Sequence, residues 1–320
     1  MVEFERDTTL LHQLLLIDGV GRSGKVMLAE IMTGFNRVEK EEYNEFLEYI
    51  ALAYKYEKIS KDMAITILKT QMDVALYSNM IGRSVNSRPT DYTSIYKYHS
   101  PELYIKRATE QDGPIIGDIV KKDKPIYLNW CHDMIQKSDI IFEAFQEKVK
   151  LIYINRRPID IIYEWDKKNF GERIASDPTD RQYTIKYKDT YVPEVSVGWE
   201  EEYLSMQPLE RIVKIIHTSF TRNLKAIKSK NINNQVMILN FEDLVTIPEI
   251  CVKHIQIFLD TKPLPVLKNI LTRENCPRVL DNKEFETRRH NVESKISNEY
   301  KHYIVELEQM YLEISKYTLS

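Results

Sequence analysis

The chain has 320 residues, 43% of them hydrophobic and 29% charged, the make-up of an ordinary globule with room for one large α/β domain or two small ones. A net charge of −3 offers no whole-molecule attraction to nucleic acid or to an anionic membrane, so any anion site must be a local concentration of Arg and Lys. The three cysteines, Cys131, Cys251 and Cys276, form neither a metal spacing nor a disulfide framework and fit a reducing compartment; acidic and basic residues near the N-terminus exclude a signal peptide, and the expectation is a soluble cytoplasmic protein.

Residues 1–13 are a polar lead-in. The first strand is read at 14–18, followed by Gly19-Val20-Gly21-Arg22-Ser23-Gly24-Lys25 and a helix from Lys25 to about Phe35. The chain has nine glycines, and three of them fall in this turn. Glycines let backbone N–H groups curl around an anion, and the helix N-terminus behind them adds partial positive charge. Arg22 and Lys25 add two full charges, so the stretch predicts a phosphate or sulfate cradle. The spacing Gly19-x-x-x-x-Gly24-Lys25 matches a nucleotide-binding P-loop up to its last position. There Val26 replaces the Ser or Thr whose hydroxyl would hold Mg²⁺. The loop is therefore read as fit to grip a phosphate, poorly fit to hold an ATPase's magnesium, and no metal site is expected. The bland alternative is a strand–turn–helix with chance glycines; the strand before and the helix behind favour the anion site.

From 41 to 80 the apolar residues recur at helical spacing, in two runs, with Ser60 and Asp62 as an N-cap signal for the second. The polar loop 82–94 carries Arg83 and Arg88, candidate substrate contacts because loops at the mouths of α/β sheets often touch ligands. A solvated connector is the alternative. Pro101 opens a short helix that Gly113-Pro114 closes, and 115–118 is read as a short strand. Residues 124–133 read as a strand that stops at His132, and 135–146 as a helix. The run 149–155 is the cleanest buried strand and leads directly into Arg156, with Pro158 in the first turn of the next helix. Segment 170–200 is read as irregular, a candidate lid. A long helix runs from Pro208 to about Ser229, a strand covers 235–241 and ends in Glu242-Asp243-Leu244, and a helix covers 248–259. Residues 260–293 read as loop-rich and about 292–317 as an amphipathic helix.

Strands alternating with helices imply a parallel sheet covered on both faces, a three-layer α/β fold. The whole chain, 1–320, is read as a single domain with a helical insertion at about 40–110. Three strand ends carry candidate groups: Arg22 and Lys25, then His132, then Arg156. Ligands of parallel α/β sheets bind outside the carboxyl ends of the strands, so these groups can converge. Two anion-seeking sites suggest a nucleoside with anions at both ends. His132 lies near no Cys or His at metal spacing, which makes it a better candidate base than metal ligand; a capping or core histidine is the alternative.

In this order and spacing the pieces resemble the sulfotransferase superfamily, P-loop-like enzymes that use 3′-phosphoadenosine 5′-phosphosulfate (PAPS). The stretch Gly21 to Lys25 resembles its 5′-phosphosulfate loop, and Tyr127 to His132 the strand ending in the catalytic histidine. Leu151 to Asp160 resembles the 3′-phosphate segment, and Phe241-Glu242-Asp243-Leu244 its Tyr-Glu-Asp-Leu strand end. The resemblance implies a P-loop-like fold and metal-free transfer of a sulfuryl group to an acceptor hydroxyl or amine on a small molecule or carbohydrate. Adenosine 3′,5′-bisphosphate would be the product. His132, Arg22 and Lys25 would act in catalysis; Gly19, Gly21, Arg22, Ser23, Gly24, Lys25, Val26, Arg156 and the position of Glu164 would hold the donor. Two positions depart from the pattern. Glu164 stands where the family places a serine on the 3′-phosphate, and a carboxylate there is repulsive unless a cation such as Lys167 or Lys168 intervenes. Lys25 stands where a small hydroxyl residue is common, which either strengthens the grip or marks another donor such as ATP. An ATP-dependent small-molecule or glycan kinase, with Asp18 or Asp118 on Mg²⁺, and a non-catalytic nucleotide-binding protein are the competing readings.

Overall fold

Four apolar runs, each continuous because both faces are covered, build the central sheet. A computed structural model of the chain describes residues 2–40, 43–110, 112–180, 182–230 and 234–318. In it β1 (Gln13–Asp18), β2 (Ile126–Trp130), β3 (Val149–Asn155) and β6 (Val236–Asn240) lie parallel in the order β2-β1-β3-β6. A separate antiparallel hairpin joins β4 (Thr184–Tyr187) to β5 (Thr190–Pro193). The period of two along a strand divides each run between two cores. Leu14, Leu16, Leu151 and Tyr153 face one cluster; Leu15, Ile17, Ile152 and Ile154 face the other. The fold is thus α/β, a parallel sheet between two helical layers.

The second core is closed by α1 (Lys25–Met32), and later by α11 (Phe241–Thr246), α12 (Pro248–Leu259) and α13 (Leu267–Arg273). The first core takes α2 (Phe46–Lys55), α3 (Lys61–Met80), α6 (Asp139–Phe145), α7 (Pro158–Asp166), α10 (Pro208–Ser229) and α15 (Lys301–Ser315). Between these lie α4 (Pro101–Arg107), α5 (Ile115–Asp123), α8 (Phe170–Arg173), α9 (Glu200–Ser205) and α14 (Asn282–Glu293). The helical pattern read from 41 to 80 is α2 and α3; its starting residue, Glu41, lies outside the described residues. Ser60 takes the N-cap position of α3, but its hydroxyl bonds the Asp62 carboxylate instead of the helix N–H groups.

Four readings need correction. Residues 115–118 are not a strand but open α5, whose Ile116 and Val120 reach the first core at helical spacing; the short apolar run could not separate the two states. The expected helix at 135–146 is shorter: a 3₁₀ turn at Met134–Lys137 precedes α6. The described part of segment 170–200 holds α8, the hairpin, a 3₁₀ turn and the start of α9. The stretch 260–293 contains α13 and α14, and the final helix begins only at Lys301.

Candidate active site

The glycine loop is a backbone device. Gly19 has φ 146° and Gly24 φ 104°. A Cβ would lie 2.7 Å from the Ile154 carbonyl oxygen at the first and 2.4 Å from the Phe241 ring at the second, so only glycine fits either. Arg22, between them, holds a left-handed φ of 67° despite its side chain, a cost that the surrounding contacts must sustain. Those contacts are donors to the loop's carbonyls. The Lys25 ammonium donates to the oxygens of Gly19 (2.8 Å) and Val20 (2.9 Å). The Trp165 indole N–H donates to Gly21 (2.9 Å), and the Arg156 guanidinium to Arg22 (2.7 Å). With these oxygens taken, what the loop has left for a ligand is N–H groups, joined by the free amides of the first turn of α1.

Lys25 is buried, and burial depresses its ammonium pKa, partly offset by Asp18 and Asp133. Two of its three donors hold the loop. Ser23 is buried under the loop, with its hydroxyl unpaired among the described residues. Asp18, fully buried at the end of β1, accepts the amides of Met134 (2.9 Å) and Ile135 (2.6 Å). Burial and the neighbouring Asp133 carboxylate raise its pKa to about 6. It fastens β1 to the turn after His132, and both oxygens are committed there, not to a metal. Asp118 is exposed on α5, outside the cleft.

His132 follows β2 by two residues. Its backbone N–H and ring Nδ1 both meet Glu48 Oε1, at 3.0 and 3.3 Å. Burial alone would raise the Glu48 carboxyl, but His132 and Lys137 draw it below the usual range. With Nδ1–H given to Glu48, Nε2 is the basic nitrogen, and it has no protein partner among the described residues. Tyr43 stacks on Trp130 (4.0 Å, 8°), and the imidazole stands edge-on to both. No single-sequence signal marks Glu48 as this partner, because it comes from α2, far from His132 in the chain.

Arg156, at the end of β3, lies with its guanidinium 4.4 Å above the Phe241 ring. Its Nε is buried and unpaired, and it forms no ion pair among the described residues. Glu164 stands on the same wall; its partner, Lys167, is 3.7 Å away and more than half exposed. A pair so exposed neutralises little, so the carboxylate still faces any anion brought to Arg156.

One cleft of about 710 Å³ is lined by Gly21, Arg22, Gly24, Lys25, Val26, His132, Arg156 and Glu164 together. Gly19 and Ser23 sit beneath it. Its wall carries eight Lys or Arg and five Asp or Glu, in a chain of net charge −3. Arg83 and Arg88 are not brought to it: both are exposed, with ion pairs to Asp112 (3.9 Å) and Asp91 (3.3 Å). The reason lies in α3, whose 20 residues carry the chain about 30 Å. Asp73 on that helix bonds the Leu11 amide just before β1, and Tyr104 bonds Glu39 beside the start of β2. Both contacts are at the amino ends of the strands, opposite the cleft.

No family model matches the sequence, and no curated protein matches it. Solved structures do. The sulfotransferase domain from the curacin biosynthetic pathway superposes with a TM-score of 0.51 at 13% identity, over 98% of this chain and 100% of that one. The sulfotransferase domain of the Synechococcus PCC 7002 olefin synthase reaches 0.48 at 13% identity, over 97% and 98%. The sulfotransferase from Alicyclobacillus acidocaldarius reaches 0.36 at 13%, over 90% and 98%. Identities this low speak for architecture alone, and the first superposition carries it: this chain has the α/β fold of a sulfotransferase domain.

Proposed function

We propose that this protein is a sulfotransferase that moves a sulfuryl group from PAPS to a hydroxyl (or amine) on a small-molecule or carbohydrate acceptor. The observation that carries the reading is the Glu48–His132 pair, with Nε2 open among the described residues, on the same cleft as a carbonyl-tethered glycine loop and Arg156, which forms no ion pair among those residues. In this reading the chain acts as one soluble, cytoplasmic domain, and segment 170–200 serves as its lid through Phe170, Arg173 and Tyr183 on the cleft wall.

The chemistry is an in-line displacement. The acceptor oxygen forms a bond to sulfur as the bond from sulfur to the bridging phosphate oxygen breaks, and the electron pair leaves on the phosphate. His132 Nε2 takes the acceptor proton; Glu48 holds the ring in the required tautomer and steadies the imidazolium. The loop amides, the start of α1 and Arg22 neutralise the charge that grows on the leaving phosphate. Lys25 acts mainly through the loop it braces. Arg156 is the residue for the 3′-phosphate, with Glu164 opposing it.

Thermal melts test the donor. Adenosine 3′,5′-bisphosphate without metal should stabilise the fold by about 2.7 kcal/mol at a hundred times its Kd, and labelled sulfate from PAPS should then appear on a hydroxyl acceptor. Stabilisation by Mg-ATP alone would instead favour a kinase. Binding of neither nucleotide sinks the enzyme reading.

A further inference from the structure

The far end of the cleft, beyond His132, is a second cationic site made of side chains from three elements. On α2, Glu48, Leu52 and Lys55 all line the cleft, the i, i+4, i+7 spacing of one helical face. On α10, Ile215, Ser219 and Arg222 do the same. The two faces end at one carboxylate: Glu194 Oε1 lies 3.2 Å from the Lys55 ammonium and 3.7 Å from the Arg222 guanidinium. A third cation, Lys137, lies 5.9 Å from the centre of the Tyr183 ring and has no ion pair among the described residues. The Tyr183 hydroxyl is buried and likewise unpaired among those residues.

Glu194 therefore answers two cations, Lys55 and Arg222, and accepts the Tyr56 hydroxyl (2.5 Å), while Lys137 faces Glu48, whose carboxylate already holds His132. The crowding registers in Lys55: burial depresses its ammonium, and Arg222 and Lys137 add to the effect against the pull of Glu194. A structural brace between α2 and α10 needs only Lys55, Glu194 and Arg222. It leaves Lys137 and the buried Tyr183 hydroxyl, two donors on the same cleft, without an ion pair or hydrogen bond among the described residues.

We propose that this end of the cleft binds an oxyanion carried by the acceptor itself, a carboxylate or its like, on Lys137, Arg222, Lys55 and the Tyr183 hydroxyl. The seven-residue step from Glu48 to Lys55 along α2 spans about 10 Å. The acceptor is thus a hydroxy acid whose reacting hydroxyl and anion stand about that far apart, the hydroxyl at His132 and the anion at the cationic end. This inference rests on the sulfotransferase reading for the identity of the reacting hydroxyl, while the anion site rests on its own residues.

The test compares ω-hydroxyoctanoate with octanediol, equal in chain length and different in charge, as ligands of the full chain with and without adenosine 3′,5′-bisphosphate. The hydroxy acid should bind at least about tenfold more tightly, the effect of one charged hydrogen bond. Lys137→Gln, which removes no ion pair among the described residues, should erase most of that preference and leave nucleotide affinity unchanged. Arg222→Gln should reduce the preference further. Equal binding of acid and diol by the wild type overturns the proposal, as does a preference that survives in both variants. Loss of nucleotide binding alone sinks the sulfotransferase reading, and the acid-to-diol ratio measured without nucleotide still decides the anion site.

Discussion

The two ends of the cleft are made in different ways. The proposed donor end is centred on one contiguous stretch, Gly19 to Val26, whose chemistry is backbone N–H groups held by tethers from Arg156, Trp165 and Lys25. The proposed acceptor end draws on α2, the turn after β2, the residues leading into β4 and the middle of α10, and its chemistry lies entirely in side chains. An anion grip made of backbone tolerates little change, because its shape depends on φ angles that only glycine accepts without strain. A pocket made of side chains can be retuned one substitution at a time without disturbing the fold. The joint between them is Asp18, which ties the strand before the loop to the turn after His132.

Four substitutions break or sharpen that contrast. His132→Ala acts where the two ends meet: turnover should fall about 10²–10⁴-fold while nucleotide binding stays near the wild-type value. A variant that keeps most of its turnover would remove His132 from the mechanism. Gly24→Ala attacks the donor end, and strain at a positive φ together with the clash on Phe241 should cost about 3 kcal/mol. A melt lowered by ~5 °C or more and loss of nucleotide titration are the expected readouts; an unchanged melt would contradict the backbone argument.

Asp18→Asn tests the joint. The folded pKa of Asp18, about 6, lies above its ordinary 3.8. Its contribution to stability is therefore full below the ordinary value and is lost as pH rises through 6. Two pH units amount to about 3 kcal/mol, so wild-type stability should carry this downward term between the ordinary 3.8 and about 6, and the variant should lack it. Parallel stability–pH curves for the two proteins would refute the assignment. The smallest effect is expected from Glu164→Ser, which removes one carboxylate from the wall shared with Arg156. Adenosine 3′,5′-bisphosphate should bind about three- to tenfold more tightly, with adenosine 5′-phosphate unchanged. A gain shared equally by both nucleotides would separate Glu164 from the 3′-phosphate.

The elements of the proposed donor end were largely legible in the sequence because their information is local. Buried runs announce strands, glycines announce turns, and Arg156 follows its strand directly, so adjacency in the chain gives adjacency in space. The same locality explains the failures. The apolar residues at 115–118 fit a strand and a helix equally, and only packing on the first core made them α5. The loop with Arg83 and Arg88 had suitable chemistry, but α3 delivers it to the amino ends of the strands, opposite the cleft. Glu48 and Phe241 were missed as site residues because a carboxylate on a helix and a ring after a strand are unremarkable until the fold sets them under His132 and Arg156.

By itself the sequence determined the alternation of strands and helices, the glycine loop, and the basic or imidazole groups at three strand ends, all through interactions within a few residues of one another. Only the tertiary structure decided that these strand ends open on one cleft, that Glu48 rather than a neighbour orients His132, and that Lys55 and Arg222 share the Glu194 carboxylate on a cleft that Lys137 also lines. Such contacts join residues scores of positions apart, and no local pattern encodes which helix face will meet which.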